Sequence, residues 1–267
     1  LSPPGAQGRG LAAAFFGFTL AQVVGLPLGS WLGYAVGWRA VFGLVAILSL
    51  ACLLLVARVV PRGLRLPPVG LRDLAGVFRD PVLLGAVAFT TSILTAIYLP
   101  FTYLPTLLRD GMGFGPEAIA AAFFVYGAAG VAGNLLGGRL TDAIGARRVL
   151  VLVCIAQAWL MPVFAALPLP AVTVWAMLVL WGAAGWAFTP AQQARLGALD
   201  PARASVVFAL NGSAIYIGIA VGSGLSGLTF EAAGPAMLGP VGGVLAFGAL
   251  VHLLASIRAD NLRRARG

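Results

Sequence analysis

The side chains that could do acid–base, nucleophilic or metal chemistry are few in this sequence, and they are badly placed for it. Among 267 residues there are eight carboxylates, one histidine and two cysteines. Catalysis or metal binding needs such groups to converge. Here no Ser/His/Asp set, no His/Asp cluster with metal-ligand spacing and no pair of carboxylates shares an apolar stretch. Asp110, Glu117 and Glu231 fall at one set of stretch ends and Asp142 at the other, and no stretch has a charge at its middle. His252 stands alone near the end of the last stretch and is expected to be a packed residue, not a proton switch. Cys52 and Cys154 are expected to be buried structural thiols. No cofactor, no metal and no intramembrane enzyme chemistry follow from this inventory.

The apolar stretches do contain uncharged polarity: Gln22, Thr95, Tyr98, Tyr103, Tyr126, Asn134, Asn211 and Tyr216. Polar groups at such positions are costly unless they face a cavity or a partner helix. Aromatic rings with a few amides suit a weakly polar small molecule, offering contact area and a few hydrogen bonds that fix its orientation. Asn211 and Tyr98 are the strongest candidates. The plainer alternative for each is a hydrogen bond between helices, which is the expectation for Gln157, Thr90 and Thr91.

The elements that must position these residues are written in the composition. Hydrophobic residues make up 60% of the chain and charged residues 9%, against about 25% charged in a soluble domain. The apolar residues gather in eight runs, at about 11–34, 40–60, 82–107, 117–137, 148–167, 171–190, 204–229 and 236–256. Runs of this length cross a bilayer as helices, because only helices or closed barrels satisfy the backbone in lipid. Barrel strands would show roughly ten-residue alternation, and none is present. The expected fold is an all-α integral membrane protein of eight transmembrane helices.

All 17 basic residues are Arg. Fifteen fall on one set of alternating loops, and only Arg39 and Arg109 on the other. The positive-inside rule makes the Arg-rich side cytoplasmic, with both ends of this chain inside. The net charge of +9 is thereby accounted for without nucleic acid, whose ligands cluster their cations on one face. Residues 61–81 are too polar to span and are expected to be a cytoplasmic linker with a short surface helix around Leu71–Phe78. The expected division is 1–60, two helices ending one bundle; 61–81, the linker; 82–257, a six-helix bundle; and 258–267, a cytoplasmic tail. Six is half of a twelve-helix transporter, so four helices are expected upstream of Leu1.

Three stretches carry a family resemblance. Gly138-Arg139-Leu140-Thr141-Asp142-Ala143-Ile144-Gly145-Ala146-Arg147-Arg148 resembles the Gly-x-x-x-Asp-x-x-Gly-x-Arg-Arg loop of the major facilitator superfamily. Gly145 permits a tight turn. Asp142 sits at a helix end where it can pair with Arg or a helix N-terminus, so the cluster can latch two helices in one conformation and release them in the other. Gly25-Leu26-Pro27-Leu28-Gly29, with Gly17, Gly33 and Gly37, resembles the glycine-proline motif in the fifth helix of the family's antiporters, with a residue inserted between Gly and Pro. Pro27 is expected to kink that helix. Thr189-Pro190-Ala191-Gln192-Gln193-Ala194-Arg195 and Asn211-Gly212-Ser213 resemble the tenth and eleventh helices of arabinose-efflux and chloramphenicol-efflux permeases.

The resemblance covers the whole chain and implies the fifth to twelfth helices of a drug:proton antiporter-type efflux permease in the cell inner membrane. It implies export of a small organic compound, a drug or a sugar-like metabolite, by alternating access with protons as coupling ion and a monomeric full-length protein. It also places Gln22, Thr95, Tyr98, Tyr126, Asn134, Asn211 and Tyr216 along the substrate pathway. The proton-titrating group is expected upstream of Leu1. The alternative is a truncated, non-transporting remnant, or a membrane scaffold or receptor.

Overall fold

Leu-, Val- and Ala-rich runs with no polar partner for their backbone can close their hydrogen bonds only internally, and they do so as helices. The structure, a computed structural model, describes residues 24–59 and 71–266, and no strand occurs among them. The helices are α1 (Leu26–Val36), α2 (Trp38–Val59), α3 (Leu71–Arg79), α4 (Pro81–Thr102), α5 (Leu104–Met112), α6 (Pro116–Ile144), α7 (Ala146–Leu160), α8 (Ala171–Leu199), α9 (Ala204–Ala233) and α10 (Leu238–Arg266). A 3₁₀ turn, Met161–Ala166, continues α7, and another, Pro235–Met237, precedes α10. Seven segments among the described residues are long and apolar enough to cross a membrane. The chain is an all-α integral membrane protein. Most of the first expected span, with Gln22, lies outside the described residues.

Several helices outrun their apolar stretches. α6 reaches Ile144, α8 Leu199 and α10 Arg266, because a helix leaving hydrocarbon keeps its internal hydrogen bonds while its side chains turn polar. Residues 258–266, expected as a tail, are therefore the last turns of α10. The expected third span is broken once at Tyr103 (φ −103°, ψ 14°), between Pro100 and Pro105, before α5 resumes.

The chain divides into two compact units, Leu1–Pro68 with Phe114–Gly127, and Val69–Gly113 with Ala128–Gly267. In the first, the glycine face of α1 meets α2, with Gly29 and Gly33 both nearest to Val41. Pro27 lies in the first turn of α1, and Val24 and Gly25 before it are already π-helical. Helix α2 buries none of its residues. Cys52 is accordingly exposed, not buried as expected; Cys154 is buried.

The second unit is held by close helix seams. Gly218 and Gly222 of α9 press on the α4 backbone, where a Cβ at Gly222 would lie 2.6 Å from the Thr95 carbonyl oxygen. Gly133 and Gly137 of α6 press on Ala183 and Ala187 of α8 in the same way, and Gly239 and Gly243 of α10 on Met161 and Pro162. Small residues let backbones approach where apolar burial gives no drive, because lipid is as apolar as leucine. Trp181 is fully buried between Phe101 and Phe164. Trp159 is exposed.

Candidate functional site

The α4–α9 seam carries a ladder of hydroxyls. Thr91 donates to the Ala214 carbonyl (3.1 Å), Thr95 to Gly218 (3.3 Å) and Ser226 to Leu99 (2.5 Å). Each hydroxyl reaches a backbone carbonyl of the neighbouring helix, so no donor is left bare in lipid, and two of the three acceptors belong to small residues, Ala214 and Gly218. Behind the ladder a buried relay crosses three helices. Gln192 Nε2 donates to the Ala86 carbonyl (2.8 Å) and to Thr90 Oγ1 (2.9 Å), and Thr90 donates to Asn211 Oδ1 (2.6 Å). Gln192 and Asn211 are both buried.

Toward α10, His252 bridges back to α4. Its Nε2–H donates to the Gly85 carbonyl (3.1 Å), which can only accept, and Nδ1 lies 2.9 Å from Ser92 Oγ. One turn on, Arg195 Nη2 donates to Ser256 Oγ (2.6 Å), and the guanidinium lies 5.9 Å from the Phe89 ring centroid. His252 is thus a packed, hydrogen-bonded residue, as expected.

The surface of this seam is polar as well. On α4, positions 91, 95, 98 and 102 share one face, occupied by Thr91, Thr95, Tyr98 and Thr102. On α9, Ser213, Tyr216 and Ser223 share another. Tyr216 is 68% exposed, and Thr102 Oγ1 lies 2.9 Å from Ser223 Oγ. Tyr98 and Tyr216 lie within electrostatic reach of each other. The structure therefore brings together Thr95, Tyr98, Asn211 and Tyr216 of the expected residues. Thr95 and Asn211 are committed to hydrogen bonds between helices, while Tyr98 is half-buried and Tyr216 open. Asn134 is half-buried on α6 and makes no hydrogen bond among the described residues. Tyr126 is buried on the part of α6 that belongs to the first unit.

At one end of the second unit the charges gather. Gly145 alone separates α6 from α7, at φ +88°, a conformation a Cβ would strain. Gly138 and Asp142 belong to the last turns of α6; Gly138 has open space around it, and Asp142 is exposed with no ion pair among the described residues. Arg147 turns instead to Asp260, and donates to Asn261 Oδ1 (2.7 Å). Asp260, with only 3% of its side chain exposed, also takes Arg264 (3.2 Å). Asp80 caps α4 with one oxygen, accepting from the Val82 and Leu83 amides (3.0 and 3.2 Å), and holds Arg263 with the other (2.9 Å). Asp200, just past α8, would be raised by burial, but the amide and guanidinium of Arg203 outweigh this and hold its carboxyl below its ordinary value. The loop ends assigned to the Arg-rich side by counting are thus tied together by ion pairs.

Asp260 is not among the expected residues, and Gln192 and Arg195 enter only as part of a family-like stretch, because their apolar runs end before them. Continued helical spacing would have found them: 249, 253, 256 and 260 on α10, and 188, 192 and 195 on α8, each make one buried face.

The family model of the Major Facilitator Superfamily matches residues 1–223. The chain belongs to the major facilitator superfamily. It is also 27% identical over 261 residues to YbcL of Bacillus subtilis (strain 168), described as an uncharacterized MFS-type transporter. That match covers 98% of this chain and 66% of the relative, so the chain spans just under two thirds of its relative's length.

Proposed function

We propose that the chain is part of a secondary transporter that exports a small organic compound, a drug or a sugar-like metabolite, by alternating access driven by protons. In this reading residues 82–257 form one six-helix half and 1–60 the end of the other, joined by 61–81. The Arg-rich ends face the cytoplasm of a cell whose inner membrane holds the protein as a monomer.

The observation that carries the reading is the polar, aromatic surface of α4 and α9. Tyr216 leaves its hydroxyl exposed and Tyr98 is half-buried, both on the face that carries the Thr102–Ser223 hydroxyl pair. Hydroxyls facing hydrocarbon lack partners at a cost of several kcal/mol each. Such a face belongs beside water and a substrate. Behind it, the Gln192–Thr90–Asn211 relay fixes the two helices, so that Tyr98 and Tyr216 are held on rigid supports. Arg147 and Arg148, with Gly138, Asp142 and Gly145, make the hairpin that latches one state; Gly25, Pro27 and Gly29 make the antiporter-type packing face of α1.

The test is transport by the intact protein in proteoliposomes with an imposed proton gradient, for wild type and the Tyr98→Phe and Tyr216→Phe variants. Each substitution removes one hydroxyl and keeps the ring. A lost hydrogen bond of about 1 kcal/mol predicts a KM raised about fivefold with the fold unchanged. Unaltered KM in both variants, or flux indifferent to the gradient, would remove the site and the coupling respectively.

A further inference from the structure

The charged end of the second unit holds a cleft of about 450 Å3, lined by Gly145, Arg147, Arg148, Arg195, Asp260 and Arg264 among others. Its charge does not balance: four guanidinium groups face one carboxylate, and Asp260 is already shared by Arg147 and Arg264. Arg148 makes no ion pair among the described residues. Arg195 lines the same cleft while only 5% exposed; its Nη2 is used by Ser256, but its Nη1 has no partner. A buried guanidinium nitrogen left bare is costly, and an anion would satisfy both its charge and its free N–H.

A second donor set opens on the same place. Helix α7 starts at Ala146 directly after Gly145, and no side chain caps it. Its first-turn amides carry the partial positive charge of a helix N-terminus. Amides at a helix start, with guanidinium groups around them, fit a tetrahedral oxyanion better than a spherical ion, because several oxygens can be held at once.

We propose that this cleft binds a phosphate-bearing anion, seated between the α7 N-terminus and Arg195, with Arg148 and Arg264 at its rim. The phosphate can arrive as the headgroup of an anionic phospholipid, since basic pockets between helices at the membrane surface take such headgroups, or as a soluble phosphate. The site lies on the second unit alone and is independent of what the protein carries.

Two probes separate the sources. The intact protein is placed in nanodiscs of phosphatidylcholine with or without phosphatidylglycerol, and retained lipid is counted by native mass spectrometry. In phosphatidylcholine alone, inorganic phosphate is titrated calorimetrically. Arg148→Gln and Arg264→Gln are the working variants, because both side chains are exposed, and the Tm of each is checked first; Arg195→Gln is the deeper one. Arg258→Gln, an exposed Arg outside the cleft lining, controls for general surface charge. Selective retention of phosphatidylglycerol, weakened about tenfold in each rim variant and unchanged in Arg258→Gln, supports the site with a lipid source. Phosphate binding with the same variant pattern and no lipid preference supports it with a soluble source. If neither probe binds, or if the rim variants bind like Arg258→Gln, the proposal is overturned.

Discussion

Asn211 and Thr90 form their hydrogen bond across 121 positions of sequence, and a single substitution should expose its weight. Asn211→Leu removes the acceptor for Thr90 and strands its hydroxyl among buried neighbours, at about 1–3 kcal/mol. Thermal unfolding of the purified protein in detergent should show a clearly lowered Tm, and an unchanged Tm would mean that the relay is ornamental. Asp200 offers a pH-dependent counterpart outside the membrane. Its folded value lies below the ordinary one, so its stabilisation is complete above about pH 4 and is lost as pH falls through the folded value. Asp200→Asn keeps an acceptor for the Arg203 amide but loses the ion pair. It should cost less than about 1 kcal/mol at pH 7 and less again near pH 3, as read from unfolding at the two pH values. The polar residue types at this scale were legible in the sequence, since Tyr98, Thr95 and Asn211 stand out in apolar runs. Their division of labour was not. Whether a hydroxyl faces a neighbouring carbonyl or open space depends on the rotation of α9, set by Gly218 and Gly222, and no single residue announces it.

At the scale of elements, the helices were legible as runs, while their ends were not. Hydropathy falls where α6, α8 and α10 leave the hydrocarbon, but their backbones continue to Ile144, Leu199 and Arg266. That is where Asp260 and Arg195 lie, so the charged end of the bundle was hidden by a boundary drawn from lipid preference, not from helix periodicity. Gly145 was legible because only glycine tolerates its φ of +88° without strain. The partner of Arg147 was not, since nothing local distinguishes Asp260 from Asp142. The seams make a sharp contrast testable. Gly222→Val places a branched side chain where even a Cβ would sit 2.6 Å from the Thr95 carbonyl oxygen, and overpacking of that kind costs about 1–3 kcal/mol. Gly224→Ala, two residues on, meets nothing within 4 Å and should be neutral or slightly stabilising. Equal Tm values for the two variants would show that α4 and α9 are not in close contact.

At the scale of the whole molecule, the Arg bias makes a topological prediction. In a background with Cys52 and Cys154 changed to Ser, Arg109→Cys should react with a membrane-impermeant maleimide added outside intact cells. Arg258→Cys should react only after the cells are opened. Labelling of Arg258→Cys from outside, with Arg109→Cys reached only in opened cells, would reverse the proposed orientation. The two helices flanking the second unit lend that unit one more property. Asp80 at the start of α4 and Arg263 near the end of α10 touch at 2.9 Å, so the segment finishes beside the place where it begins. Its helices are arranged as a closed circuit, and the point at which the polypeptide enters that circuit is incidental to its packing. A circularly permuted version, with residue 266 joined to residue 80 through a short flexible linker and new ends opened in the loop between α8 and α9, would keep the glycine seams of the second unit, because segments with adjoining termini tolerate such rewiring.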